Sequence, residues 1–312
     1  MSRGASERYG AGSELTAELL RRVQHLELVA RRNAAGLAPG EYETAVRGQG
    51  LLFHEVRKYV PGEPARRIDW NITARLADPH VRVYLEERQR EVMVLLDVSP
   101  SMHAGMARRT KLELAVELAA TLGAAAVHAG DRLGHVLYAD RVLDRAAPRQ
   151  GRSQLFRFLR ALLEHTGPWQ RRVAESDARK AFHALEGGLG RGRRGARAGT
   201  GMVVFVISDL VDHDLPEDLR YLRARHDVSL LHVHDPFEHD SGPVRFTAHS
   251  PEGRAWRAIL NAVETGTLEH TRSRLRQRCG EAAVAFGSFS TAEPVRAGLA
   301  RFFHHKRRPR GS

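Results

Sequence analysis

The chain has 312 residues, of which 42% are hydrophobic, so it is long enough for a complete α/β core and an accessory domain. No stretch approaches the roughly 20 consecutive apolar residues that cross a membrane, and the first residues lack the apolar run of a secretory signal, so we expect neither feature. The single cysteine, Cys279, excludes an intrachain disulfide and fits a reducing cytoplasm.

The net charge of +12 raises the question of a nucleic-acid partner. Only four of the 49 basic residues are lysines, which indicates a compositional preference for arginine, and much of the charge lies in the Gly-Arg stretch 187–201 and the tail 304–312. No RRM, KH or zinc-finger pattern accompanies the charge. We therefore do not expect nucleic-acid binding, and a basic scaffold acting through 191–197 and 304–310 is kept as an alternative.

The first 90 residues predict a helix followed by a small β-rich domain. Leucines and valines recur every three or four residues over 14–36, which is typical of an amphipathic helix, and Gly and Pro follow it. Residues 50–60 and 80–88 have the pattern of short extended segments. We assign residues 1–90 to this accessory domain.

After residue 90, strand and helix patterns alternate, which predicts an α/β fold with a doubly wound, mostly parallel sheet and helices on both faces. Residues 243–257 break the alternation and indicate an inserted hairpin. We assign 91–306 to this domain and 307–312 to a basic tail. The predicted strands are 91–97, 132–138, 202–208, 228–234 and 284–290, and the predicted helices are 108–128, 152–165, 173–186, 215–225, 264–279 and 292–304.

Oxygen-bearing side chains follow two of the predicted strands. One apolar run ends in Asp97-x-Ser99-x-Ser101, and a second ends at Asp209. Because ligands of open α/β sheets bind at the carboxyl ends of strands, we expect Asp97 and Asp209 to meet there in a pocket open to solvent. Hydroxyl and carboxylate oxygens suit Mg²⁺, with Mn²⁺ or Ca²⁺ as alternatives. The same residues could instead only cap the helices that follow them.

Two other chemistries fit the sequence less well. The acidic stretch 209–214 could form the metal centre of a nuclease with Asp97, but serines stand where two-metal catalysis needs carboxylates. No Gly-x-Ser-x-Gly elbow or Walker loop occurs. We expect no catalytic activity, with a metal-dependent nuclease as the alternative. A zinc site could use three histidines, although strand-end histidines are more often structural: His232, His234 and His239.

The stretch "RRIDWNITAR" is a dense patch of charged residues around a tryptophan. As a functional site it would be a partner-binding or interdomain surface. The structural alternative, which we prefer, is an internal ion-pair network with the tryptophan in the core. The residues concerned are Arg66, Arg67, Asp69, Trp70 and Arg75.

The stretch "DVSPSM" (97–102) after an apolar strand resembles the start of a von Willebrand factor A (vWA) domain. Over 48–102, a "G-x-G-x-x-F-x-x-x-R-x-Y-x-P-G" pattern, "RIDW" and "EER" resemble the DUF58 family, and "VISDLVD" and "RHDVSLLHVHDPFE" extend the resemblance downstream. The resemblance implies a vWA-like (Rossmann-like) fold over 91–306.

The resemblance also implies a metal-ion-dependent adhesion site (MIDAS), in which Ser153 stands where the family has a threonine from a middle loop. It implies a non-catalytic adaptor that works beside a MoxR-type AAA+ ATPase in the activation or assembly of a client protein. The metal residues that it implies are Asp97, Ser99, Ser101, Ser153 and Asp209.

Overall fold

Strands and helices alternate along most of the chain. The computed structural model describes residues 6–37, 42, 55–60, 70, 73, 78–83, 90–105, 108–166, 177–189, 201–209, 216–236 and 268–307. In chain order these residues form helix α1 (Ser6–Ala35), strands β1 (Glu55–Lys58), β2 (His80–Val83) and β3 (Glu91–Asp97), a short 3-10 helix (Pro100–His103), helix α2 (Lys111–His128), strands β4 (Arg132–Tyr138) and β5 (Val142–Arg149), helices α3 (Arg152–His165) and α4 (Ala178–Leu189), strand β6 (Val203–Ser208), helix α5 (Pro216–Arg225), strand β7 (Asp227–His234), helix α6 (Leu268–Glu281), strand β8 (Ala285–Ser290) and helix α7 (Val295–Arg307).

Strands β3 to β8 form one six-stranded sheet in the order β5-β4-β3-β6-β7-β8. Neighbouring strands are parallel except for β5, which runs antiparallel to β4 at one edge. Strands β3 and β6 lie in the middle, and every residue of β6 is buried. Strands covered on both faces need apolar side chains throughout, which is why these two are continuous apolar runs. The five predicted strands and the mostly parallel sheet are confirmed.

The sequence does not predict β5, because this edge strand lacks an apolar run. Only Ala146 and Pro148 are buried in it, and an edge strand tolerates the proline. Its direction matters for the site. Since β5 is antiparallel, its last residue, Arg149, pairs with Leu133 near the start of β4. The chain therefore returns to the amino-terminal edge of the sheet before α3 begins.

Helices cover both faces of the sheet, because successive strand residues point to opposite sides. Helices α1, α2, α3 and α7 pack on the face that contains Val94 and Phe205. Helices α4, α5 and α6 pack on the face that contains Leu95 and Val206. The predicted helical layers are confirmed, with shifted ends.

Helix α1 belongs with the sheet, which differs from the predicted accessory domain at 1–90. The chain divides into a small unit formed by residues 47–89 and a large unit formed by all the others. Val23 of α1 is completely buried in the core of the large unit. In addition, Asn33 Nδ2 donates to Glu117 Oε1 of α2 at 2.8 Å. Within the small unit, β1 and β2 form an antiparallel pair.

Two predicted segments lie outside the described residues, namely the hairpin at 243–257 and residues 308–312 of the basic tail. Among the residues that are described, no helix combines the length and the apolar character needed to cross a membrane.

Candidate functional site

The order of the strands reverses at the centre of the sheet. From β3 the chain moves outward through β4 to β5, and it then returns to the other side of β3 with β6. Leu96 pairs with Ile207, so the carboxyl ends of the two central strands lie at the same height. In open α/β sheets this crevice is where ligands bind. The structure therefore brings together Asp97, which ends β3, and Asp209, which follows β6.

A tight turn after β3 brings two serine hydroxyls together. Ser99 N donates to Asp97 Oδ1 at 2.9 Å, and the completely buried Met102 anchors the 3-10 helix that follows. Ser99 Oγ and Ser101 Oγ lie 3.1 Å apart. Ser99 stands at the amino end of the 3-10 helix, but its side chain makes no capping hydrogen bond. Capping therefore does not account for the Ser99 hydroxyl.

The row of hydroxyls continues to Asp209. Ser101 Oγ donates to Asp209 Oδ1 at 3.1 Å, the same separation as that between the two serine hydroxyls. Neighbouring ligands of an octahedral Mg²⁺, with bonds of ~2.1 Å, lie about 3.0 Å apart, which matches both separations. These three residues therefore fit as direct ligands of a divalent cation. Asp97 fits behind them, where its Oδ2 accepts from Ser208 Oγ at 2.8 Å.

The site is more buried than the sequence predicts. Asp97 is 1% exposed and Asp209 is 7% exposed, so the two carboxylates do not form the open pocket expected above. One reason is that Val98 N donates to Tyr138 O at 2.8 Å, which extends the pairing of β3 with β4 beyond Asp97. Ser101 is partly exposed, and it is the member of the row that solvent reaches.

Burial makes the negative charge of Asp97 costly. The pKa of its carboxyl is raised to about 6, chiefly by burial and then by the negative charge of Asp209, while hydrogen bonds from Ser99 and Ser208 lower it. Two buried carboxylates that repel each other favour a positive charge nearby. A divalent cation or a basic side chain can supply that charge.

Lys111 supplies one positive charge. It is the first residue of α2, it is 4% exposed, and its Nζ donates to Asp209 Oδ2 at 2.8 Å. The chain leaves the site after Ala104 and returns to it, because Lys111 N donates to Ala104 O at 2.9 Å. No sequence motif singles out this residue. The one signal that could have found it is composition, since it is one of only four lysines among 49 basic residues.

The two described histidines of the zinc alternative are held by backbone carbonyl groups. His232 Nε2 lies 3.1 Å from Asp209 O, and His234 Nδ1 lies 2.8 Å from Phe289 O. Burial lowers the pKa of His232 to about 4, so its imidazole is neutral at pH 7. Its contact with the main chain of Asp209 supports a structural role beside the site. His239 lies outside the described residues.

Ser153 lies at the opposite end of the sheet from the other four predicted ligands. It follows Arg149, which pairs with Leu133 near the start of β4, whereas Asp97 pairs with Tyr138 at the end of β4. The two ends of a strand of this length are about 20 Å apart. The assignment of Ser153 as a metal ligand is therefore wrong. The reason is that β5 runs antiparallel to β4 and carries the loop before α3 to the far end of the sheet. A search of the sequence for a hydroxyl in a middle loop does not detect this direction.

Asp177, the first described residue beyond the segment that follows α3, lies at the same edge of the sheet as the site. Asp177 N donates to Ala139 O at 2.8 Å, just beyond the end of β4, and residues 167–176 lie outside the described part of the chain. Among the described residues, no group of three or more His, Cys, Asp or Glu side chains could hold a metal.

The predicted charged patch is described at one position. Trp70 is 67% exposed, so the expectation of a core tryptophan is wrong. Because Trp70 is exposed on the small unit, the partner-binding alternative stays a prediction. The other members lie outside the described residues: Arg66, Arg67, Asp69 and Arg75.

Comparison with solved structures gives matches at low sequence identity. A von Willebrand factor type A protein from Catenulispora acidiphila is 12% identical with a TM-score of 0.39, and the match covers 73% of this chain and 43% of that one. Proximal thread matrix protein 1 from the mussel byssus, in a structure with a zinc-occupied MIDAS motif, is 12% identical with a TM-score of 0.38, and the match covers 70% of this chain and 47% of that one. The strand order, with an Asp-x-Ser-x-Ser turn at its reversal point, defines a doubly wound α/β protein.

Comparison with known sequences gives the family. Two uncharacterised proteins, one from Mycobacterium bovis and one from Mycobacterium tuberculosis, are each 32% identical over 214 residues. Those residues are 69% of this chain and 64% of each relative, so the chain spans less than two thirds of the length of these relatives. The family profile described as "Protein of unknown function DUF58" matches residues 55–265. This chain belongs to the DUF58 family.

Proposed function

We propose that this protein binds an acidic side chain of a protein partner through a divalent cation at the carboxyl ends of β3 and β6. The observation that carries the proposal is the continuous row of oxygens from Ser99 through Ser101 to Asp209, with separations of 3.1 Å. We propose Mg²⁺ as the cation because it prefers oxygen ligands, with Mn²⁺ and Ca²⁺ as alternatives. Asp97 would hold the row from behind, through the hydrogen bond that it accepts from Ser99 N.

The composition of the row favours an acidic partner. Two of its three members are neutral hydroxyls, and the Asp209 carboxylate also pairs with Lys111. A divalent cation, when bound, would keep an excess of positive charge and so attract a carboxylate. Ser101 is partly exposed, which makes it the place where such a side chain would approach.

We infer that the site is not catalytic. Two-metal hydrolysis needs several carboxylates around a pair of ions, and the row contains a single carboxylate, Asp209, which is paired with Lys111. Incubation of the purified protein with plasmid DNA and with RNA in Mg²⁺ or Mn²⁺ tests this inference. Hydrolysis by the wild-type protein that the Asp97→Asn variant does not show would contradict it and would favour the nuclease alternative.

For the partner, we propose a MoxR-type AAA+ ATPase, which the family resemblance implies. In this proposal the protein is an adaptor that presents or assembles a client protein for the ATPase. We place both proteins in the cytoplasm, a compartment that suits the buried free thiol of Cys279.

The test is binding to a purified MoxR-type ATPase from the same organism, measured by biolayer interferometry in Mg²⁺ and in EDTA. We expect EDTA to weaken binding at least about tenfold, and Ser101→Ala to have a similar effect, because each removes part of the cation site. Ser153→Ala is the matched control, since this exposed serine lies at the other end of the sheet, and it should bind as the wild-type protein does.

Equal binding in Mg²⁺ and in EDTA would contradict a contact through a cation. A different outcome is no binding under either condition, although the protein alone binds Mn²⁺ in calorimetry. That result would overturn the choice of partner and leave the cation site in place.

A further inference from the structure

Lys111 occupies a position where local physical chemistry disfavours a lysine. Thr110 caps α2, since its Oγ1 accepts from Glu113 N at 3.1 Å while its own N donates to Glu113 Oε2 at 2.8 Å. This capping box makes Lys111 the first residue of the helix. Positive charge at the amino end of a helix opposes the helix dipole, and burial of an ammonium group costs further free energy. Something at the site must offset both costs.

The Asp209 carboxylate offsets them, and it links Lys111 to the proposed cation ligands. Asp209 Oδ2 accepts from Lys111 Nζ at 2.8 Å, while Asp209 Oδ1 accepts from Ser101 Oγ at 3.1 Å. One oxygen of the Asp209 carboxylate therefore contacts the lysine, and the other contacts the row of hydroxyls. A compact ammonium suits this single-oxygen contact, whereas the planar fork of an arginine would seek both oxygens.

We propose that Lys111 is a built-in counter-ion that weakens divalent-cation binding to the free protein and makes it depend on an acidic ligand. This inference rests on the proposed function, because it concerns the same cation site. Among the described residues of the site, the formal charges of Asp97, Asp209 and Lys111 sum to −1. A divalent cation brings the buried pocket to +1, and a carboxylate from outside brings it back to zero.

Without Lys111, the two carboxylates alone carry a charge of −2, so a bound divalent cation makes the site neutral without an acidic ligand. A buried net charge is costly, so the state with cation and lysine but no acidic ligand is the disfavoured one. Cation and acidic ligand therefore bind cooperatively, and each raises the affinity of the other by the same factor. Lys111 is thus a positioning and tuning residue rather than a ligand of the cation.

The test is calorimetric titration of Mn²⁺ into the wild-type protein and the Lys111→Met variant at about pH 8. We expect the variant to bind Mn²⁺ at least roughly tenfold more tightly than the wild-type protein, because it lacks the competing charge. Lys111→Arg keeps the positive charge and should not bind Mn²⁺ more tightly than the wild-type protein. A thermal melt of each variant checks that it folds, and Lys111→Gln takes the place of the methionine variant if that one does not fold.

Lys306→Met is the matched control. Lys306 is a partly buried lysine that is also paired with a carboxylate, since its Nζ lies 2.9 Å from Asp227 Oδ2. Asp227 begins β7 and pairs with Val203 at the start of β6, so this ion pair lies at the opposite end of the sheet. We expect Lys306→Met to leave the Kd for Mn²⁺ unchanged.

Sodium acetate serves as the probe for an acidic ligand. Excess acetate should tighten Mn²⁺ binding to the wild-type protein and should have a smaller effect on Lys111→Met, in which the cation already neutralises the pocket. Equal Mn²⁺ affinities for the wild-type protein and Lys111→Met would overturn this inference and leave the cation site standing. No Mn²⁺ binding by either protein, with or without acetate, would overturn the proposed function itself.

Discussion

Replacement of Asp97 with asparagine should stabilise the metal-free protein at pH 8. Asparagine has the shape of aspartate and can still accept the hydrogen bond from Ser99 N, which donates to Asp97 Oδ1 at 2.9 Å. Its amide nitrogen would face Ser208 Oγ, and that hydroxyl can rotate to accept. The substitution therefore removes a buried charge and its repulsion by Asp209 while it keeps the packing.

The magnitude follows from the raised pKa of Asp97, which is about 6 in the folded protein. In an unfolded chain the same carboxyl has a pKa of about 4, so between these two values the folded state binds more protons than the unfolded state. The contribution of Asp97 to stability therefore falls as the pH rises from about 4 to about 6. The full difference corresponds to about 3 kcal/mol at pH 8, which is an upper value for the gain on substitution.

The assay is urea denaturation followed by circular dichroism in EDTA, at about pH 4 and about pH 8, for the wild-type protein and Asp97→Asn. We expect the free energies of unfolding to be similar at the lower pH and the variant to be more stable at the higher pH. Asp227→Asn is the control of opposite sign, because it removes the charged partner of the partly buried Lys306 and should destabilise the protein at pH 8. A variant of Asp97 that is less stable than the wild-type protein at pH 8, or a difference independent of pH, would refute the reasoning.

Three further predictions concern stability away from the cation. Gly134→Ala should lower the free energy of unfolding by about 1–3 kcal/mol in urea denaturation, because the added Cβ would lie 2.8 Å from Ala146 O in the neighbouring strand. An unchanged free energy of unfolding would contradict this prediction. Burial lowers the pKa of His135 to about 4. Between pH 7 and pH 4 the free energy of unfolding of the wild-type protein should therefore fall by up to about 3 kcal/mol relative to that of His135→Phe. Parallel pH profiles of the two unfolding free energies would argue against this. Thr110→Ala should cost about 1 kcal/mol in the same assay because it removes the hydrogen bond from Glu113 N, and Thr110→Ser should restore most of it.

The local sequence was enough to predict the central strands and most of the site. A parallel strand that is covered on both faces has to be apolar throughout, and the runs that became β3 and β6 have that character. Asp97, Ser99 and Ser101 follow the first run directly, and Asp209 follows the second. Because parallel strands end at the same edge, these four residues could be assigned to one site before any coordinates were known.

Only the tertiary structure decided which other residues join them. The direction of β5 moved Ser153 to the far edge, and the return of the chain after Ala104 brought Lys111 to Asp209. The packing of α1 on α2, and the depth at which Asp97 is buried, were likewise settled by contacts between distant parts of the chain. The spacing of apolar residues along the chain predicts which face of a helix or strand is buried. It does not predict the direction of a strand, the residue that pairs with a charged side chain, or how much water a charged side chain loses on folding.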